Sequence, residues 1–106
     1  MSTPTWMFLT VHARVLLCIA RQADARLSDL AGEIGVTERT VFGAVNDLAA
    51  AGYIVKVKQG RRNRYDIREH LPLPDPLVDQ RTIGEILALL TEVSDTRQGE
   101  ERGALT

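Results

Sequence analysis

Leu27-Ser28-Asp29-Leu30-Ala31-Gly32-Glu33-Ile34-Gly35-Val36-Thr37-Glu38-Arg39-Thr40-Val41 reads as two short helices joined by one tight turn. Leu27, Leu30, Ala31 and Ile34 recur at helical spacing and give the first helix a single apolar face. Ser28 stands where a cap is needed, so this helix is expected over residues 29–34, with Asp29 complementing the dipole in its first turn. Gly35 follows, and only glycine adopts the left-handed conformation of a tight helix exit at little cost. Thr37 caps the second helix, which is expected to reach about Ala51 and to be closed in the same way by Gly52. Ala31 is small where the two helices would cross, and Val36 fills the space beneath the turn. Val41, Ala44, Val45 and Leu48 bury one side of the second helix. The other side presents Arg39, Gly43 and Asn46, flanked by Thr40 and Phe42.

Upstream, Thr10 caps a helix running to about Gln22. Val11, Val15, Leu16 and Ile19 recur at helical spacing there, and Leu17, Cys18 and Ala20 widen the apolar face. Trp6, Phe8 and Leu9 just before it are expected to pack on the domain or on a partner. Downstream the period changes to two. Tyr53, Val55 and Val57 alternate with Ile54, Lys56 and Lys58, the pattern of a strand with one face inward. Gln59, Gly60, Arg61 and Arg62 make a turn, and residues 63–67 return with Tyr65 and Ile67 inward and Arg64 and Asp66 outward. This is a hairpin with a basic tip.

Pro72, Pro74 and Pro76 break regular structure, so residues 71–81 read as a stiff, extended connector. Thr82 with Glu85 three residues later forms a capping box that opens a helix over residues 82–94. Ile83, Ile86, Leu87, Leu90 and Val93 line one stripe of it, and residues 95–106 read as a flexible polar tail. The expected fold is mainly α with a small β hairpin: a domain over residues 1–70, the connector, one further helix and the tail.

The chain of 106 residues, 44% hydrophobic and 25% charged, has the composition of one ordinary globular domain. Its longest apolar run, Val15 to Ala20, is too short to span a bilayer, and no secretion signal is visible, so no membrane association is expected. A lone cysteine, Cys18, excludes an internal disulfide and suits a reducing cytoplasm. Its apolar neighbours mark it as core and not as a redox sensor. Cys18, His12 and His70 lack metal-ligand spacing, so neither a metal nor another cofactor is expected. No nucleophile–base pair, carboxylate dyad or phosphate-cradling loop can be assembled, which argues against an enzyme. The net charge of −1 hides an asymmetry. Residues 36–65 carry six cations against two acids, whereas residues 66–106 carry four against nine. Charge distribution steers a protein to phosphate, and the basic third is the one holding the second helix of the pair and the hairpin.

With its continuation Leu48-Ala49-Ala50-Ala51-Gly52-Tyr53-Ile54 and the basic hairpin, the opening stretch resembles the winged helix-turn-helix regulators of the MarR and ArsR type. The resemblance covers roughly residues 10–67 and rests on small, apolar and glycine positions. It implies a transcriptional regulator that binds double-stranded DNA, with the helix from Thr37 in the major groove. Base readout then falls to Thr37, Arg39, Thr40 and Asn46 on a face that also includes Gly43. Arg61, Arg62 and Arg64 would supply phosphate or minor-groove contacts. Ser28, at a helix N-terminus, is a candidate phosphate contact that capping alone would also explain. Such regulators often carry Gln, Arg or Lys where this chain has Phe42 and Gly43. Phe42 either touches a thymine methyl or packs, and packing is the commoner fate of a flanking aromatic.

The resemblance also implies a homodimer reading a two-fold operator. The stripe Ile83, Ile86, Leu87, Leu90 and Val93 is the expected dimerisation surface, assisted by Trp6 and Phe8, while the alternative is that this helix folds back on its own domain. Two other functional readings remain open: a winged module that binds a protein instead of DNA, and a sensor holding a small-molecule effector between the first and last helices. No effector pocket can be named from the sequence.

Overall fold

Thr10 caps the first helix with its side chain: its hydroxyl oxygen accepts a hydrogen bond from the Ala13 amide at 3.1 Å, and α1 runs over Val11–Arg21. In this computed structural model, which describes residues 4–91, the remaining elements are α2 (Leu27–Ile34), α3 (Glu38–Ala50), β1 (Ile54–Gln59), β2 (Arg62–Ile67) and a fourth helix, α4, over residues 83–91. The class is therefore α+β, with four helices and one antiparallel hairpin among the described residues.

α2 begins two residues earlier than the serine suggests. Arg26 is its cap, and the Arg26 amide donates to Asp29 Oδ2 at 3.1 Å, leaving Ser28 exposed in the first turn. A carboxylate at that third position satisfies the amide that would otherwise be orphaned, so no hydroxyl cap is needed. Gly35 ends the helix at φ +83°, and its amide donates to the Ala31 carbonyl at 2.8 Å. From α1, the Arg14 guanidinium donates to the Ile34 carbonyl at 3.0 Å, satisfying another acceptor of the same helix end. α3 starts at the Thr37 cap, whose hydroxyl oxygen accepts from the Thr40 amide at 3.1 Å.

The hairpin pairs Ile54 with Ile67, Lys56 with Tyr65 and Val57 with Arg64. Cross-strand partners share a face, so Ile54, Tyr65 and Ile67 turn inward together. Val55 and Val57 point outward and stay exposed. The inward face of β1 is thus the one carrying Ile54, because the core meets the hairpin only near its base.

Residues 71–81 are pinned and not simply extended. The Leu73 amide donates to the Arg81 carbonyl at 2.9 Å, Ile83 donates to Leu71 at 2.8 Å, and the Tyr53 hydroxyl donates to the Pro72 carbonyl at 3.1 Å. The prolines lack donors, but their carbonyls and the intervening amides are free to close the loop. The capping box that follows is complete: Thr82 N donates to Glu85 Oε1 at 2.9 Å, and Glu85 N donates to Thr82 Oγ1 at 3.1 Å. The backbone bond from Thr82, reinforced by Arg81 at 3.0 Å, holds the Glu85 carboxyl below its usual range.

α4 folds back on its own chain. Ile83 and Leu87 retain 3% and 6% of their accessible surface and belong to the same buried cluster as Leu16, Ile19, Val41 and Leu48. The core therefore crosses the boundary expected at residue 70. Its physical cause lies in α1, whose broad apolar face exceeds what α2, α3 and the hairpin cover. The approach is close: a Cβ on Gly84 would lie 2.6 Å from Glu69 Cβ, and the Gly84 amide donates to the Glu69 carbonyl at 2.8 Å. Of the expected dimerisation stripe, Ile83 and Leu87 are thus consumed by the internal core, and Ile86 and Leu90 are half-buried. Val93 and the tail over residues 95–106 lie outside the described residues. Between α1 and α4 an apolar cleft of about 260 Å³ remains, with Leu9, Leu16, Tyr53, Ile86 and Leu90 on its walls. Among the described residues no helix is long and apolar enough to cross a membrane.

Candidate nucleic-acid interface

α3 buries Val41, Ala44, Val45 and Leu48, and this fixes what its far side presents. Arg39, Gly43 and Asn46 follow one another at helical spacing on that side, all exposed. A Cβ at Gly43 would meet nothing within 4 Å beyond its chain neighbours and the backbone of its own helix, so the glycine is not required by packing and leaves the helix surface low at its centre. Thr37 and Thr40 are exposed at the helix start, with their hydroxyls 2.9 Å apart. The Thr37 oxygen is already engaged in capping, which leaves Thr40 the freer of the two. Phe42 is 53% exposed and is not part of the core.

Beside α3 the hairpin forms the second wall of a cleft of about 450 Å³. Phe42 and Asn46 line it from the helix, and Arg61 and Arg62 from the hairpin tip. Four of the residues singled out in the sequence therefore meet in one place. Arg26, Lys56 and Asn63 join them. Lys56 is brought there by its pairing with buried Tyr65, and Arg26 by the α1–α2 turn; only the basic count of the segment hinted at the lysine. Arg64 is not at this cleft. Its Nε donates to Asp66 Oδ1 at 3.1 Å on the same strand, and it borders a shallow depression towards α4. Ser28 is exposed but likewise does not line the cleft.

Two of the acids around this surface, Asp24 and Asp66, are paired with arginines, whereas Glu38 forms no ion pair among the described residues. Asp24 accepts from Arg62 at 3.2 Å, Asp66 from Arg64 at 3.1 Å, and Asp47 lies 2.8 Å from His12 Nε2, on the flank facing α1. Among the described residues Arg39, Lys56, Lys58 and Arg61 form no ion pair. The face is cationic in effect, because unpaired charges dominate the field of an exposed surface. Cys18 lies elsewhere, in the core. Burial, helped by the Glu33 carboxylate, pushes its thiol up to about 11, which leaves it protonated and unreactive near neutrality.

Compared with known proteins, the sequence matches no family model and no curated protein.

Proposed function

We propose that this chain is a winged helix-turn-helix protein that binds double-stranded DNA sequence-specifically and regulates transcription. The observation that carries this reading is the solvent-facing side of α3, where Arg39, Gly43 and Asn46 are free of internal packing beside a hairpin whose tip carries Arg61, which forms no ion pair among the described residues, and Arg62, held by an exposed pair with Asp24. A bare helix fits the major groove, and its first turns reach base edges. The low centre at Gly43 favours close approach, Arg39 suits a guanine edge, and Asn46 suits an adenine edge. Arg61 and Arg62 at the hairpin tip, with Lys56 behind them, suit the phosphate backbone or minor groove. No cofactor and no catalytic step enter this reading. A cytoplasmic location belongs to it, and the lone unpaired thiol is compatible with that compartment.

A single recognition helix covers few base pairs, so the reading includes a homodimer whose two α3 helices meet half-sites about 34–36 Å apart. Selection of bound duplexes from a random pool tests class and symmetry together. Enrichment of a two-fold sequence is the expected result, and no enrichment at low salt would sink the reading. Exposed Phe42 within the cleft favours one rival, a module that docks a peptide there. Salt separates the two, since contacts to several phosphates make affinity fall steeply as salt rises.

A further inference from the structure

Trp6, Met7 and Phe8 form an exposed apolar run, with Trp6 64% and Phe8 88% accessible. Three consecutive large apolar side chains in water are an interaction surface in want of a cover. The next two residues, Leu9 and Thr10, lie on the rim of the apolar cleft between α1 and α4. Among the described residues the chain thus carries an uncovered aromatic arm and an unfilled apolar cleft, joined at one edge. We infer that the arm of one copy fills the α1–α4 cleft of a second copy, reciprocally, and that this exchange is the dimer contact.

Three observations favour a second copy as the occupant. Among the described residues the arm leaves its own cleft open while standing exposed beside it. The Thr10 cap holds the base of the arm at the rim, and four extended residues reach about 13 Å, enough to cross a two-fold axis placed beside Leu9. Aromatic side chains bury about 150–250 Å² each, so the Trp6 and Phe8 pairs of two arms remove about 600–1,000 Å² from water. The two clefts add less than the arms do, so the contact lies at the small end of specific interfaces and the dimer is expected to dissociate on dilution. The contact is isologous and closes on itself, as a two-fold dimer requires. It deepens the dimeric part of the proposed function by naming the surface, and it is measured without DNA, so its failure leaves the DNA-binding reading standing.

Trp6 is the single tryptophan of the chain, which makes its emission a direct report on the arm. The experiment is a dilution series of the full chain followed by both Trp6 emission and sedimentation. The expected result is a blue-shifted emission in the dimer that moves red as the dimer dissociates, with one midpoint for both signals. Trp6→Ser combined with Phe8→Ser weakens association by about 100-fold or more. Because the arm lies outside the core, this variant keeps its helical content and, at concentrations where the wild type is monomeric, its unfolding temperature. Leu90→Lys obstructs the cleft instead. Mixing the arm variant with the cleft variant restores a heterodimer, since that pair keeps one intact arm and one intact cleft. Blue emission from a monomer at every dilution would place the arm on its own cleft and overturn the inference. A dimer with solvent-exposed Trp6, or a chain monomeric at high micromolar concentration, overturns it equally.

Discussion

The Arg62 guanidinium donates to Asp24 Oδ2 at 3.2 Å, fastening the hairpin tip to the turn between α1 and α2. The pair is solvent-exposed, and such pairs contribute only about 0–1 kcal/mol, so a phosphate can take the arginine from the aspartate. Asp24→Asn is therefore expected to raise affinity for duplexes of any sequence. Replacing Arg61 and Arg62 together should weaken binding to all duplexes and make the salt slope shallower by about two units. A salt titration by fluorescence anisotropy measures both, and an unchanged slope removes the hairpin tip from the interface.

Arg39→Ala is expected to cost about 1–3 kcal/mol on the best site and to relax preference at one base pair. Arg39 is exposed in the first turn of α3 and makes no ion pair among the described residues. Competition between the selected site and random duplex decides the matter. Equal weakening on both would show that Arg39 meets only backbone.

Gly43→Ala is expected to stabilise the fold by about 0.5–1 kcal/mol, because the new methyl meets open space and glycine is a poor helix former. The same methyl should weaken specific duplex binding by raising the low centre of α3. A variant that melts higher yet binds its site unchanged would show that α3 does not seat closely.

Truncation before Thr82 removes Ile83 and Leu87 from the core. At about 1.5–3 kcal/mol for each buried aliphatic side chain the loss is about 3–6 kcal/mol, a large share of the roughly 5–15 kcal/mol that small domains possess. The shortened chain is therefore expected to be unfolded or barely folded, not an intact monomer. Gly84→Ala should act in the same direction through its clash with Glu69. Urea unfolding of the two variants checks both expectations, and a wild-type midpoint in either would contradict the docking of α4.

Alkaline pH should destabilise the fold through Cys18. Folding raises its pKa from 9.0 to about 11, so folding favours the neutral thiol. That contribution is complete below pH 9 and is lost as pH rises from 9 to about 11. Burial raises the pKa of Tyr65 as well, which adds to the loss in the same direction. Cys18→Ala should flatten the decline in unfolding temperature over this window. An identical decline in wild type and variant would assign it wholly to other groups.

The features legible in the sequence are those that local chemistry determines. Thr10 and Thr37 cap their helices with their own hydroxyls, Gly35 adopts the conformation its position demands, and Thr82 and Glu85 form a box within four residues. The features that escaped depend on distant partners. The phase of β1 follows from how far the core extends beneath the hairpin, which no alternation of Val55 and Val57 encodes. The docking of α4 follows from the uncovered flank of α1, and an apolar stripe reads alike whether it faces its own domain or another chain. Within the candidate site, Arg39 and Asn46 followed from the period of α3. Arg26 and Asn63 enter the cleft only through the α1–α2 turn and the hairpin register.

Because Ile83 and Leu87 complete the core, the order of synthesis matters for this fold. When β2 ends at Ile67 the ribosome must add about 20 more residues before Leu87 exists, which takes about 1–4 s. For that interval the flank of α1 that α4 will cover has no partner, and the nascent chain is exposed to chaperones and to other nascent chains. The part of the domain made first must here wait for α4, so mutations that weaken α4 should reduce yield in the cell even where the purified protein still folds.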